Sequence, residues 1–231
     1  GGSFMKNLLL YSGYFRSYRD LFEKAGGVAA TFPKGIDVFP YLQKNNLCIY
    51  IDDGWLDMRM TTSGMEVYEA TTFGEGSFLY SILRGAEGMK HYWELIPYSA
   101  PLKGLLLPQK NLNNLLKQHP VLLTTCWKAT REMMQILMFN TTLFHTGSGI
   151  ERVCNFLWYY DALRTKDNRP PHITQDKIMY KTLLSKSQLT RVLLQLRQQG
   201  LIQTRYRRLE IIDKEALQKH ISESILEWYS G

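Results

Sequence analysis

The sequence predicts an α+β protein: an N-terminal β-roll, a long helix, and a C-terminal winged helix-turn-helix. Three observations carry this prediction. Between Val28 and about Leu107 short apolar runs are cut by Gly and Pro at roughly ten-residue intervals, the pattern of a small all-β roll or barrel. From Leu123 to Phe144 the chain switches to a helical period with apolar positions in steps of four and three. From Ile173 to Ile202 two further helical periods are joined by a short turn and followed by a basic, strand-like segment. The chain of 231 residues is long enough for two small domains, each with its own core. The expected divisions are 5–118 for the roll, 119–146 for the long helix and 147–231 for the last domain.

Taken in order, Tyr14 to Lys24 reads as a short helix stopped by Gly26-Gly27. The runs LCIYIDDG (47–54), WLDMRMTTSG (55–64), MEVYEATTFGEG (65–76) and PLKGLLLP (101–108) read as strands. Residues 55–70 form a predicted hairpin about Ser63-Gly64. Gln109 to Gln118 is a short helix, and Pro120 can open the next one. In that helix Leu123, Trp127, Thr130, Met134, Leu137, Thr141 and Phe144 make a seam over three heptads, the pattern of a parallel homodimer helix. A lone amphipathic helix packed on the roll would be the simpler use of the same stripe. Thr146-Gly147-Ser148-Gly149 reads as a hinge, with Ser148 capping a helix from Ile150 to about Arg164.

Thr174 is a good N-cap for the next helix, in which Ile178 and, at its end, Leu183 are apolar. Ser185 can cap the one after, with Gln188 as its capping-box partner. Leu189, Val192, Leu193 and Leu196 form that helix's buried stripe, and Gly200 ends it. Lys186, Ser187, Thr190, Arg191 and Gln195 fall off the stripe and face outward. A short helix, a turn and a second helix with basic and amide side chains near its start is the geometry that enters a DNA major groove. Beyond Gly200, Arg205, Tyr206, Arg207 and Arg208 sit between Ile202 and Leu209, as the basic tip of a two-stranded wing. The expected DNA contacts are therefore Thr174, Ser185, Lys186, Ser187, Gln188, Thr190, Arg191, Arg205, Arg207 and Arg208. The net charge is +7, and from Lys177 to Arg208 there are three lysines, five arginines and no acidic residue. A basic cluster on the module that already looks like a DNA reader says more than the total charge.

Other chemistries find little support. Cys48, Cys126 and Cys154 are scattered and odd in number, without a CxxC pair, which argues against a disulfide framework, a zinc site or an iron–sulfur cluster. GEGSF (74–78) lacks the following glycine and the Lys-Ser/Thr of a phosphate loop. Asp52 and Asp53, adjacent on a strand, point to opposite faces. No Ser/His/Asp or Cys/His arrangement can be argued, so no enzymatic activity, metal or cofactor is expected. KNLLLYSGYFRSYRD, near the start, is too short and too polar for a signal peptide or membrane span, and a reducing cytosol is the expected compartment.

The order of roll, long helix, glycine-bearing hinge and winged helix resembles the cyclic-AMP receptor (Crp/Fnr) superfamily of bacterial transcription regulators. The resemblance is most specific from Gly149 to Ile212. GIERVCNFLWYY looks like the family's helix after the hinge, with Arg152 in the family's place. ITQDKIMYKTLLSKSQLTRVLLQLRQQGLI looks like its ITRQEIG…SRETVGRIL…L…GLI pattern. IDDG (51–54) and FGEGSFL (73–79) sit where the family has turns of a cyclic-nucleotide-binding-like roll. The resemblance implies a homodimer that binds double-stranded DNA, works with RNA polymerase and needs no membrane.

Departures from the family pattern are informative. Ser185, Lys186, Ser187 and Arg191 stand where the family has Ser-Arg-Glu and a second Arg. Lysine in place of arginine loses a bidentate fork, and serine in place of glutamate loses an acceptor for a cytosine amine. Leu183 replaces the turn glycine. In the roll, Tyr80-Ser81 stands for the Gly-Glu that takes a ribose, and Tyr92-Trp93 for the Arg-Ser/Thr that takes a cyclic phosphate. The implied effector site, with Tyr80, Ser81, Tyr92 and Trp93, Lys90 or His91 at its edge, and Met134, Leu137 and Met138 from the long helix, suits a small aromatic or apolar molecule better than cyclic AMP. Its identity is not legible in the residues. The alternative is a constitutive DNA-binding dimer whose roll is only a structural or protein-interaction module.

Overall fold

The computed structural model describes residues 10–11, 13–61, 66–80, 93–162, 173–205 and 208–223. The chain forms two compact units, Leu10–Glu66 with Ala70–Ile136, and Val67–Glu69 with the chain from Leu137 onward. The division falls inside the long helix, not at either of its ends.

The first unit is built on a sheet in which β1 (Leu10–Tyr11), β4 (Val67–Phe73), β3 (Leu47–Thr61), β6 (Trp93–Pro108) and β2 (Val28–Phe32) are neighbours in that order, with β5 (Phe78–Leu79) also paired to β3. β3 and β6 run antiparallel over most of their length, from Leu47 opposite Pro108 to Met60 opposite Trp93. The pairing slips twice about Asp53, where Gly54 takes φ +98°. That irregularity bends the two long strands and separates the two aspartates: Asp52 accepts from Arg19 at 2.6 Å, while Asp53 lies 3.7 Å from Lys103. The expected roll is therefore present, and β3 and β4 flank residues 62–65, where the predicted hairpin turn lies outside the described residues.

Helices differ from expectation in two places. Tyr14–Lys24 is a 3₁₀ turn, Arg16–Tyr18, running into α1 (Arg19–Lys24). α2 (Phe39–Lys44), with Pro40 in its first turn, interrupts the stretch read as strands only. Six residues are too few for a helical period to stand out, which is why periodicity missed it. Phe15, Phe22, Phe78 and Tyr80 pack as one aromatic cluster, with Phe22 and Phe78 stacked at 4.3 Å and Phe15 edge-on to Tyr80 at 5.8 Å. α3 (Gln109–Gln118) and α4 (Pro120–His145) occur as the sequence predicts.

The second unit contains the last turns of α4, α5 (Gly149–Ala162), α6 (Gln175–Thr182), α7 (Lys186–Gln198), the two-stranded ribbon β7 (Ile202–Arg205) and β8 (Arg208–Ile211), and α8 (Lys214–Gln218). Gly147, just past α4, takes the left-handed φ of +81° common where a helix ends. Ser148 then caps α5 as expected: its Oγ accepts from Glu151 N at 3.3 Å, and Glu151 Oε2 accepts from Ser148 N at 2.7 Å. The Ser148 hydroxyl also donates to Glu151 Oε2 at 2.7 Å, and this bond, with the one from Ser148 N, holds the Glu151 carboxyl below its ordinary pKa. The core joins Phe144 to Phe156 at 5.9 Å, with Tyr159, Tyr160, Ile178, Leu189, Leu193, Leu196 and Leu217 all buried.

Candidate nucleic-acid interface

α6 and α7 are set by their ends. Thr174 Oγ1 accepts from Lys177 N at 3.2 Å and starts α6. Ser185 and Gln188 form a complete capping box at the start of α7, with Ser185 N donating to Gln188 Oε1 at 2.8 Å. Between them Leu183 adopts the left-handed conformation, φ 54° and ψ 34°, which costs a β-carbon strain that glycine escapes. The turn thus keeps a geometry suited to glycine while carrying a leucine. Leu183 is exposed and Leu184 is buried. Arg152 fixes the same turn from α5: its Nη1 donates to Thr182 O at 3.3 Å and its Nε to Gly147 O at 3.1 Å.

α7 buries Leu189, Leu193 and Leu196 on one side. Val192, expected with them, is half-buried, and Val192 and Leu184 lie 3.5 Å from where a β-carbon on Gly149 would sit. Ser185, Lys186, Ser187, Gln188, Thr190 and Arg191 are exposed, as is Thr174 at the start of α6. Their donors and acceptors are those that meet base edges and phosphates in a major groove. The ribbon pairs Ile202 with Ile211 and Arg205 with Arg208, the register of a tight wing. The side chains of Arg205 and Arg208, and all of Arg207, lie outside the described residues.

Two members of the basic cluster are not on this surface. Lys177 and Lys181, on α6, are 2% and 1% exposed. Lys177 Nζ donates to Glu69 Oε2 at 2.9 Å, and Lys181 Nζ to Glu69 O at 3.4 Å. Their charge is spent inside the unit and reaches no phosphate. Sequence proximity to the reading helix made them look like surface cations; Glu69, more than a hundred positions away, offers no such signal. Leu194, which the apolar period of α7 does not single out, is 52% exposed.

The residues expected at an effector site are described only in part. Ser81, Lys90, His91 and Tyr92 lie outside the described residues. Trp93 is half-buried on β6. The Tyr80 hydroxyl donates to Cys126 O at 2.5 Å and meets Thr130 Oγ1 at 2.8 Å, and burial raises its pKa. It is an internal tie between the roll and α4 within the first unit. Met134 and Met138 are exposed, at 61% and 70%, and Leu137 is half-buried. An open groove of about 460 Å³ lies between α1 and α3, lined by Lys24, Asn111, Asn114, Gln118 and His119 among others, none of them an expected effector residue.

The seam of α4 is also revised. Leu123, Trp127, Met134 and Met138 are exposed and Thr141 is at the surface, but Phe144 is fully buried against α5 and Thr130 is engaged with Tyr80. A seven-residue repeat drifts about 20° per heptad on a straight helix, or about 60° over the three heptads read here. That rotation carries Phe144 from the outer face into the core and brings Met138 onto the face in its stead.

Cys48, Cys126 and Cys154 are buried thiols outside any disulfide, and burial pushes the Cys126 thiol up to about 11 and that of Cys154 to about 12. Among the described residues no group of His, Cys, Asp or Glu is arranged to hold a metal ion, and no helix is long and apolar enough to cross a membrane.

Comparison with known proteins agrees with this geometry. Residues 151–220 match the Crp-like helix-turn-helix domain. No curated protein matches the chain by sequence. Among solved structures, the chain is similar to a c-di-GMP-responsive global regulator from Xanthomonas campestris (TM-score 0.69, 12% identity, 85% of this chain and 99% of that one). It is similar also to a transcriptional regulator assigned to the Crp/Fnr family from Eubacterium rectale (TM-score 0.68, 14% identity, 90% and 98%). A third likeness is to a Crp/Fnr-family transcriptional regulator from Thermus thermophilus (TM-score 0.62, 13% identity, 84% and 97%).

Proposed function

Starting from a Crp-like helix-turn-helix domain carried on the Crp/Fnr regulator fold, we propose that this chain is a dimeric, sequence-specific DNA-binding transcription regulator of the bacterial cytoplasm, gated by a small molecule other than cyclic AMP. The observation that carries the reading is the outward face of α7. A fully capped helix presents Lys186, Ser187, Thr190 and Arg191 with no carboxylate among them. Such a surface is attracted to phosphate and holds donors for base edges. The exposed apolar face of α4, from Leu123 through Trp127 and Met134 to Met138, supports a parallel dimer, which would set two reading helices one helical turn of DNA apart. RNA polymerase is the further partner such a regulator would meet. Nothing in the reading calls for enzymatic chemistry.

Gating rests on the likeness to a regulator that responds to c-di-GMP. The effector we propose is small and largely aromatic or apolar, with one carboxylate paired to Lys90. The constitutive alternative has its own support: Phe15, Phe22, Phe78 and Tyr80 pack on one another, and the Tyr80 hydroxyl is already satisfied. Selection of duplex DNA by the purified chain from a random pool tests DNA reading, and calorimetry with cyclic AMP, cyclic GMP and a panel of aromatic acids tests gating. Arg191→Ala should weaken binding to the selected site by about 1–3 kcal/mol while leaving binding to unrelated DNA nearly unchanged. Absence of any selected site at low salt refutes the DNA-reading proposal; tight cyclic-nucleotide binding refutes the effector class.

A further inference from the structure

Leu194 is the odd residue on the reading face of α7. A residue there is normally polar when the face meets only water or phosphate, yet this leucine is 52% exposed while Leu189, Leu193 and Leu196 of the same helix are buried. It is also not at the margin of that face. Ser187, Thr190, Arg191 and Leu194 stand at i, i+3, i+4 and i+7, the spacing with which a recognition helix presents its base-reading side chains. At 3.6 residues per turn, Ser187, Arg191, Leu194 and Gln198 fall within about 60° of arc, opposite the buried leucines. Ser187 and Leu194 lie about 10 Å apart along the axis, against a groove about 12 Å wide. The stripe reads hydroxyl, guanidinium, isobutyl, amide. Thr190 donates its hydroxyl proton to Lys186 O at 2.8 Å, so outward it offers a methyl group and an acceptor but no donor.

The major groove offers one apolar group for such a side chain, the C5-methyl of thymine. We propose that Leu194 is a specificity-determining residue that packs on a thymine methyl and so selects thymine at one position of each half-site. The inference rests on the DNA-reading role of α7 proposed above and names a base that role does not. It also gives the departure at Ser187 a consequence: with no carboxylate to accept from a cytosine amine, the stripe selects by methyl contact and by Arg191.

The test uses the full chain and the site it selects from a random duplex pool. Each thymine of that site is replaced singly by deoxyuridine, which removes the methyl and nothing else. For the wild type, one position per half-site should lose about fourfold in affinity, the value of one buried methyl group. Leu194→Ala should bind the thymine and deoxyuridine sites equally well at that position, while keeping the wild-type response at every other position. Because Leu194 is exposed, the variant keeps its fold, which circular dichroism and sedimentation check. Four outcomes overturn the inference. These are equal deoxyuridine penalties in wild type and variant, a selected half-site without thymine, uniform weakening on all sequences, and a changed oligomeric state of Leu194→Ala. If no site is selected at all, the DNA-reading role falls together with it; if a site is selected and any of the four occurs, only Leu194's part falls.

Discussion

Lys177 Nζ and Glu69 Oε2 lie 2.9 Å apart, and both side chains are 2% exposed. The pair holds the first helix of the helix-turn-helix to a three-residue piece of β4 within the second unit. Removing one partner takes the 2.9 Å counter-ion from the other buried charge, so Glu69→Ala or Lys177→Ala should each cost about 3–5 kcal/mol. Replacing both with apolar residues of like volume, Glu69→Leu with Lys177→Met, should be close to neutral or stabilising. Urea unfolding of the two single variants and the double variant checks this. Single losses below 1 kcal/mol would show that the pair is open to water in solution.

Leu183 keeps a left-handed backbone at φ 54°. Leu183→Gly relieves the clash of its β-carbon and should stabilise the folded chain by about 1 kcal/mol, less the entropy glycine adds to the unfolded chain. Since the leucine is 45% exposed, little packing is lost. A rise in the urea midpoint with unchanged slope is the expected reading, and a fall would mean that the leucine is held by contacts that outweigh its strain.

Burial, followed by the nearby positive charges of Lys181 and Arg152, lowers the pKa of His145; the backbone of Lys181 opposes them as a hydrogen-bond partner. The ring stands edge-on to Tyr68 at 4.9 Å. With its folded pKa below the unfolded value of about 6.5, His145 binds fewer protons folded than unfolded. Its contribution is fully present above pH 6.5 and is lost as pH falls toward the folded pKa. Thermal stability should therefore decline from pH 7 to pH 5, and His145→Gln should flatten that part of the profile relative to wild type.

The revised face of α4 separates two kinds of variant. Trp127→Asp or Met138→Asp places a charge on the exposed apolar stripe and should give folded monomers in sedimentation. Phe144→Ala instead empties a buried site and should lower stability by about 3–5 kcal/mol with the dimer retained while the protein is folded. A wild type that sediments as a monomer at micromolar concentration would exclude the parallel dimer.

Much of the architecture is local chemistry written into the residues. Ser185 with Gln188, Ser148, Thr174 and Pro120 name helix starts that occur where the chain alone predicts them. A cap satisfies backbone groups within four residues, so nothing distant has to be known. The apolar periods of α4 and α7 and the Gly- and Pro-cut runs of the roll are equally local, and they suffice for the order of roll, long helix and winged helix. What only the tertiary structure decides is where each period points and which charges remain in water. Phe144 turns inward because a straight helix does not keep a seven-residue repeat on one face. Tyr80 loses its hydroxyl to Cys126 and Thr130, forty-six and fifty positions away. Lys177 and Lys181 leave the DNA-facing charge for Glu69, more than a hundred positions back along the chain. Leu194 stays outside, beside Arg191, where only the arrangement of buried leucines around it shows that the exposure is real. Partners at such separations leave no mark on local pattern, because their meeting depends on how the strands and helices pack rather than on any neighbouring residue.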